Sequence, residues 1–240
     1  MSTEPGVLSA TTAATTAPLS LRLREGTRER HDSVEHAAAI NRLIVVKVPS
    51  PESAGSPQER EARVRALAEY REAYRLFLIS AHGFEAAVVD RLAGSQAFEQ
   101  AKASGYADEG TPSTLLIRQD LERVYGAASA AAMPALAGLP EVRSLAEFAG
   151  MEYVRRGSRA GGAVIGAVVT HNLGLDRESG ASFLQQYGKD TKRVLVAFKE
   201  WVDSLPLSEA DCLAAVKSAN ETFLAVERWH RQLERDYLRA

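Results

Sequence analysis

The chain has 240 residues, of which 45% are hydrophobic and 25% charged, and its formal net charge at pH 7 is −2. These values are typical of a globular protein with one large or two small domains, and they argue against nucleic acid or an anionic membrane as a general partner. The single cysteine, Cys212, excludes an intramolecular disulfide and a cysteine-based zinc or iron–sulfur site. We interpret Cys212 as a small core residue.

Residues 1–18 are rich in Thr and Ala and lack the basic and apolar regions of a signal peptide, so we predict a disordered N-terminal tail. Residues 19–240 are predicted to form a single helical domain. The apolar run Ala163–Val169 is far shorter than the roughly 20 residues that cross a bilayer, so no membrane span is predicted. We therefore expect a cytoplasmic protein.

The first predicted helix covers Leu21–Ala39, where helical spacing places Leu23, Thr27, His31 and Val34 on one face. A capping box then starts a second helix at Ser56, with Pro and Glu at its first and third positions. This helix continues to about Leu92, and its length predicts a kink or break at His82-Gly83. Shorter helices are predicted over residues 97–103 and 113–125.

A second capping box, Ser144 to Glu147, begins the helix that ends at Asn172-Leu-Gly174. No stretch shows the apolar–polar alternation of a β-strand, so the sequence predicts an all-α protein, a single compact multi-helix domain. The last predicted helices cover Gly180–Tyr187, Lys189–Leu205 and Ser208–Tyr237.

Four glycines interrupt the helix that follows Ser144, at Gly157, Gly161, Gly162 and Gly166. Each costs roughly 1 kcal/mol of helix preference relative to Ala, so another interaction must offset the loss. Two interpretations are open. The glycines form i,i+4 pairs that permit close contact with another helix, or they let a flat ligand lie directly on the helix backbone.

His31 is the strongest candidate for a metal ligand among the five histidines. A carboxylate at the i+4 position, Glu35, could orient its ring as metal-bound imidazoles require; the alternative is an ordinary exposed pair. The other histidines show no ligand spacing, and we expect them to be partly exposed or locally bonded. One imidazole, a glycine-faced helix and nearby basic residues together suit heme. Neither Glu85 nor Glu152 begins a Glu-x-x-His pair of the kind found in di-iron bundles, and the usual nucleotide and hydrolase motifs are missing from the sequence.

Several segments resemble the bacterial heme oxygenases found with bacteriophytochromes. Leu21–Glu35 is similar to their proximal-histidine helix, and Tyr153–Gly162 resembles their distal helix, which usually reads Tyr-Val-x-Glu-Gly-Ser-x-x-Gly-Gly. Further similar segments follow in family order: Gly83–Glu85, Asp120-Leu121, the Phe183 to Gly188 region, Phe198 and the Ala219 to Trp229 region.

This resemblance implies the all-helical heme oxygenase fold and the O2-dependent opening of heme b, both cofactor and substrate, to biliverdin, CO and Fe²⁺. It also implies an external electron donor, a ferredoxin or a reductase, and a bacteriophytochrome as a downstream partner. The implied proximal iron ligand is His31, oriented by Glu35. On the distal side the resemblance implies Gly157, Ser158, Gly161 and Gly162, and around the heme it implies Arg24, Arg28, Lys199, Thr27, Tyr153 and Phe223.

The chain departs from that family pattern around the distal glycines. Ser158 stands where animal-type enzymes carry an aspartate. Arg155 and Arg156 stand where the family usually has Leu-Glu, and Arg159 begins a pair that is usually more apolar. Two alternatives to the enzyme are a heme-binding carrier or sensor with little turnover and a thiaminase-like helical hydrolase. The hydrolase would need a catalytic cysteine beside paired carboxylates, and the sequence offers no such pair for Cys212.

Overall fold

The structure, a computed structural model, describes residues 17–36, 38–53, 55–108, 111–131 and 133–237. Within these ranges the regular secondary structure is helical, with no β-strand, so the prediction of an all-α fold is confirmed. The predicted disordered tail lies outside the described residues, apart from Ala17 and Pro18. The α-helices are α1 (Leu19–Gly26), α2 (Arg28–Glu35), α3 (Ala38–Val45), α4 (Pro57–Leu92), α5 (Gln96–Ala103), α6 (Ser113–Tyr125), α7 (Ala128–Ala131), α8 (Leu145–Leu173), α9 (Thr191–Ser204) and α10 (Glu209–Tyr237).

The predicted capping signals begin and end the long helices. Ser56 and Glu59 form a complete capping box at the start of α4, with Pro57 in the first helical position. Ser144 accepts a hydrogen bond from the backbone N–H of Glu147 at the start of α8. Gly174 ends α8 in the left-handed conformation, where glycine is favoured.

The predicted first helix is divided at Thr27, which separates α1 from α2. Thr27 is buried, and its hydroxyl donates a hydrogen bond of 2.7 Å to the carbonyl oxygen of Leu23. Its backbone leaves the helical region, with φ −113° and ψ 1°. His31 therefore lies on a separate eight-residue helix whose direction is set by this break.

A break in α4, one of the two predicted possibilities, is wrong because the helix continues through His82-Gly83. A kink there stays a prediction. Gly83 is required for packing. A Cβ atom at this position would lie 2.7 Å from Cζ2 of Trp229 and 2.9 Å from the carbonyl oxygen of Pro134. The glycine thus permits α10 and the segment before α8 to approach α4 closely.

The predicted helix at Gly180–Tyr187 is also wrong, since these residues form turns that end in a short 3₁₀ helix at Gly188–Asp190. The carboxylate of Asp120 on α6 accepts hydrogen bonds from the backbone N–H groups of Ser182 and Phe183, at 2.9 and 2.8 Å. Long-range bonding to a buried side chain thus decides the conformation here, and local helical spacing does not.

Helices α8 and α10 cross closely at the centre of the fold. Gly150 faces Ala215 and Ala219 of α10, and a Cβ atom at Gly150 would lie 2.1 Å from the carbonyl oxygen of Ala215. Small residues on both helices therefore set the distance between their axes. The position of the glycine-bearing half of α8 depends on this crossing.

We predict that Gly150→Ala lowers the free energy of unfolding by about 1–3 kcal/mol, because the new methyl group would force the two helix backbones apart. Gly161→Ala is the matched control. A Cβ atom there meets nothing within 4 Å, so this substitution should leave stability unchanged or raise it by up to about 1 kcal/mol through helix propensity. Urea unfolding of both variants would test the assignment, which fails if Gly150→Ala is neutral.

Candidate functional site

A largely apolar cavity of about 330 Å³ lies between the His31 helix and the glycine-bearing part of α8. Its size is within the range of small-molecule sites in proteins. Side chains from α4, α9 and α10 complete its walls, among them Phe77, Phe198 and Val226. The sequence-predicted site residues that line it are His31, Tyr153, Gly157, Ser158, Gly161, Lys199 and Phe223.

His31 lies at the cavity with about half of its side chain (48%) exposed. Its ring meets that of Phe223 edge-on, with centroids 5.8 Å apart and an interplanar angle of 80°. The Oδ1 atom of Asp32 is 4.0 Å from Nδ1 of His31. The side chain of Glu35, the predicted orienting group, lies outside the described residues.

Thr27, Tyr153 and Arg24 lie together on one side of the cavity. Burial raises the pKa of the Tyr153 hydroxyl, while a hydrogen bond with Thr27 and the nearby charge of Arg24 oppose this shift. Thr27 and Arg24 lie close to Tyr153 but do not line the cavity themselves. Arg28 is exposed and is also absent from the cavity wall, whereas Lys199 is exposed and lines it.

The glycines of α8 divide into two pairs with different surroundings. Gly157 and Gly161 line the cavity, and a Cβ atom at either position would meet nothing within 4 Å. Gly162 and Gly166 face the turns after α8, where a Cβ atom would lie 3.4 and 3.3 Å from side-chain atoms of Leu184. One pair thus leaves open space for a ligand, and the other permits close packing.

Ser158 lies beside Gly157 at the cavity, and its hydroxyl donates a hydrogen bond of 2.8 Å to the carbonyl oxygen of Arg155. A hydroxyl has one proton to donate, so the remaining capacity of this oxygen is to accept. Ser158 can therefore hold a donor such as water, but it carries no charge.

Behind the glycines, α8 is held by a group of charged side chains that we call the buried ionic cluster. It comprises Arg155, Arg156 and Arg159 with Glu85, Glu152 and Asp108. Arg159 binds Glu85 through two hydrogen bonds of 2.8 and 2.7 Å, and Arg155 donates to both Glu85 and Glu152 at 2.9 Å. Glu85 and Arg156 also line the cavity.

Two tyrosines complete the cluster. The hydroxyl of Tyr106 donates to Glu152 at 2.6 Å and accepts from Arg156 at 3.0 Å, and that of Tyr187 lies 3.1 Å from Arg159. Burial alone would raise the pKa of Glu85, but the two arginines that face it, Arg155 and Arg159, together hold the pKa below its usual value. The charges are therefore retained because each has an opposite partner at hydrogen-bonding distance.

Sequence patterns did not reveal this cluster. The three arginines were visible only as departures from a family motif, and their partners come from α4, α8 and the segment after α5. Glu85 did belong to a family-like segment, Gly83–Glu85, which was the one available signal.

The expected exposure of the other histidines is wrong for His82 and His230, which are 9% and 8% exposed. The Nδ1 atoms of both rings are buried without a hydrogen-bond partner among the described residues. Burial lowers the pKa of His230 to about 4. Its side chain lines the cavity, whereas that of His82 does not.

Comparison with known proteins shows what the fold resembles. The heme oxygenase family model matches residues 116–232. Heme oxygenase-2 of Synechocystis sp. PCC 6803, in complex with heme and NO, superposes with a TM-score of 0.66 at 19% identity, covering 91% of this chain and 86% of that one. This chain has the heme oxygenase fold.

Two other structures of the heme oxygenase fold give similar values. Heme oxygenase-1 of Synechocystis sp. PCC6803, in complex with heme, has a TM-score of 0.62 at 15% identity, with 92% of this chain and 95% of that chain covered. The Leptospira interrogans heme oxygenase has a TM-score of 0.61 at 18% identity, covering 90% and 99%. No curated protein sequence matches the chain.

Two kinds of feature are absent from the described residues. No group of three or more His, Cys, Asp or Glu side chains there could hold a metal ion. Among the same residues, no helix combines the length and hydrophobicity that crossing a membrane requires.

We predict that Glu85→Gln lowers the free energy of unfolding by about 3–5 kcal/mol, because the buried guanidinium groups of Arg155 and Arg159 both lose a buried, charged partner. Glu141→Gln provides the control, since Glu141 pairs with Arg143 at the surface, where an ion pair contributes about 0–1 kcal/mol. Urea unfolding monitored by circular dichroism would compare the two. Equal effects would show that the cluster does not hold α8.

Proposed function

We propose that this protein is a heme oxygenase that opens heme to biliverdin, CO and Fe²⁺, using O2 and an external reductant. The observation that carries the proposal is the apolar cavity bordered by His31 on one helix and by the bare backbone of Gly157 and Gly161 on another. A flat apolar molecule with a central metal fits such a cavity. The heme oxygenase fold and the family model matched over residues 116–232 support the same function.

The proposed iron ligand is His31. Its imidazole is half-exposed at the cavity, and its edge-on contact with Phe223 restrains the ring from one side. A neutral imidazole nitrogen is a common axial ligand of heme iron. Glu35, one helical turn further on, remains the proposed orienting group, with Asp32 as a second carboxylate beside the ring.

The proposed distal surface is the α8 backbone at Gly157 and Gly161. The absence of side chains there lets a planar ring approach the helix closely. The buried ionic cluster fixes the position of this part of the α8 backbone. Gly162 supports the surface indirectly in this proposal, through its contact with Leu184. The helix thus acts as a flat support on which the position of the ring is defined.

Heme, when bound, supplies the iron that activates O2 for attack on its own ring. The protein residues would bind and orient it, exclude water through the apolar walls, and provide a hydrogen-bond acceptor at Ser158 Oγ. Lys199 at the cavity rim would pair with a propionate, and Arg24 and Arg28 are further basic candidates on the same side as His31. We expect electrons from a ferredoxin or a reductase, and we assign the chain to the bacteriophytochrome-associated group as part of this proposal.

We predict that His31→Ala abolishes the normal axial ligation of bound heme and weakens heme binding at least tenfold, because the cavity loses its only proposed iron ligand. His36→Ala is the control, since His36 lies at the end of the same helix but not on the cavity wall, its Nδ1 2.6 Å from the carbonyl oxygen of Asp32. Hemin titration followed through the Soret band would measure both. An unchanged spectrum for His31→Ala would refute the ligand assignment.

We predict that Gly161→Leu reduces bilin formation at least tenfold, because the new side chain occupies the space above the helix backbone. Ala163→Leu adds the same bulk at an exposed position of α8 that does not line the cavity, so its rate should be unchanged. The assay follows loss of the Soret band and growth of the biliverdin spectrum with a reductant under air. A stable heme complex without bilin formation in the unmodified protein would instead favour a heme carrier.

A further inference from the structure

Three aromatic side chains form a continuous path that begins at the wall of the cavity. Phe198 on α9 lines the cavity, and the ring of Trp201, one turn further on, has its centroid 5.8 Å from that of Phe198. The ring of Tyr106, in the segment after α5, lies 5.1 Å from that of Trp201, centroid to centroid. Aromatic rings at such distances are in contact. Because Trp201 and Tyr106 do not line this cavity, the path leads away from it.

The path ends at a second cavity, of about 230 Å³, between α8, α9 and the segment after α5. Phe198, Trp201 and Tyr106 all contribute to its wall, and Phe198 lies between the two cavities because it lines both. The exposed residues Gly105 and Ala197 also line the second cavity, so it reaches the protein surface. A small molecule that enters it from solvent therefore meets the far end of the aromatic path.

The chemistry of this path is set by the hydroxyl of Tyr106. Tryptophan and tyrosine are the aromatic side chains that lose an electron most readily, and a phenol does so when its proton can pass to a base at the same time. The hydroxyl of Tyr106 donates a hydrogen bond of 2.6 Å to Oε2 of Glu152, a carboxylate. Burial and the nearby negative charge of Glu152 raise the pKa of this hydroxyl, so the phenol stays protonated at neutral pH. Tyr106 thus has both a path to the first cavity and an acceptor for its proton.

Two other oxidisable side chains, one at the cavity and one on the path, lack such an acceptor. Tyr153 lines the first cavity, but its hydroxyl is hydrogen-bonded with Thr27, whose side chain is neutral. The indole N–H of Trp201 donates to Oγ of Ser104 at 3.1 Å, again a neutral group. A hydroxyl oxygen accepts a hydrogen bond but is a far weaker base than a carboxylate. An electron vacancy that starts at the first cavity is therefore expected to come to rest on Tyr106.

We propose that Tyr106 is an electron-transfer residue that carries oxidising equivalents from bound heme to a reductant in the second cavity, through Trp201 and Phe198. This inference rests on the heme binding of the proposed function. Heme that meets a peroxide becomes a source of oxidising equivalents, and without a route out of the site they would oxidise the cavity wall, where Tyr153 is the nearest tyrosine. The path leads them to a side chain that a small reductant can restore.

The electrons and protons balance with a hydroperoxide as the oxidant and ascorbate as the reductant. Reduction of the hydroperoxide to an alcohol and water takes two electrons and two protons. Tyr106 supplies each electron in turn, and its proton passes to Oε2 of Glu152, which leaves a neutral tyrosyl radical. Ascorbate then returns the electron, and the proton moves back from Glu152 to the phenol. The proton that each ascorbate releases to solvent balances one that the peroxide consumes, so two ascorbate molecules are oxidised for each hydroperoxide.

The test is freeze-quench electron paramagnetic resonance of the full-length, hemin-loaded chain mixed with tert-butyl hydroperoxide, a reaction that does not depend on bilin formation. We expect a tyrosyl radical whose yield falls at least tenfold in Tyr106→Phe, which keeps the ring and removes the hydroxyl. Trp201→Phe leaves Tyr106 in place and should slow the appearance of the radical at least tenfold, which keeps the test decisive if Tyr106→Phe does not fold. Tyr74→Phe is the matched control, because Tyr74 is also buried but its hydroxyl donates to the carbonyl oxygen of Gly180, away from the path. It should leave the radical unchanged.

Several results would overturn the inference. An unchanged radical in Tyr106→Phe would refute it, and so would a radical that disappears in Tyr153→Phe instead. Ascorbate should remove the radical of the unmodified protein, and Ala197→Trp, which fills the second cavity, should slow this removal at least tenfold; an equal rate would refute the role of that cavity. Hemin binding without any radical refutes the inference alone. A radical on Tyr106 without bilin formation under air and a reductant supports the inference and refutes the proposed enzyme.

Discussion

The structure depends on the pairing of three buried arginines with three carboxylates behind α8. The arginines, Glu85 and Glu152 are buried and would be costly to bury alone, whereas Asp108 is partly exposed at the edge of the cluster; each buried charge has an opposite charge at hydrogen-bonding distance. Since Glu85 comes from α4 and Asp108 from the segment after α5, the cluster joins parts of the chain that are distant in sequence. It fixes the backbone at Gly157 and Gly161, where four glycines would otherwise leave the helix weak.

The two pairs of glycines in the stretch have different surroundings. The expected close contact with another helix is replaced by packing against a turn, and a flat ligand on the helix backbone stays a prediction. Gly162 and Gly166 accommodate Leu184, while Gly157 and Gly161 leave open backbone on the cavity. Among the described glycines, an added Cβ atom would come closest to another residue at Gly150, 2.1 Å from the carbonyl oxygen of Ala215. The sequence pattern indicated the stretch with several glycines but not Gly150, which has the strictest packing requirement.

Much of the fold could be predicted from local patterns. Capping signals at Ser56 and Ser144 gave the starts of the long helices because the relevant hydrogen bonds span only three residues. The turns at 180–187 could not be predicted, because Asp120 binds them from another helix, and the continuity of α4 depends on contacts of Gly83 with Trp229 and Pro134. In the candidate site, His31 and the glycines could be found from the sequence, because His31 lies on a predicted helix face and the glycines interrupt a predicted helix. The buried ionic cluster arises only from tertiary contacts.

The division of the first helix at Thr27 has a mechanical consequence. It leaves α1 and α2 with eight residues each, a length at which a helix has little stability of its own and depends on packing. The opposite wall is part of a 29-residue helix anchored by ion pairs and by its crossing with α10. The cavity therefore has one stiff wall and one compliant wall. If a ligand binds as proposed, a change in its shape would be absorbed by the segment that carries His31, while the backbone at Gly157 and Gly161 keeps its position.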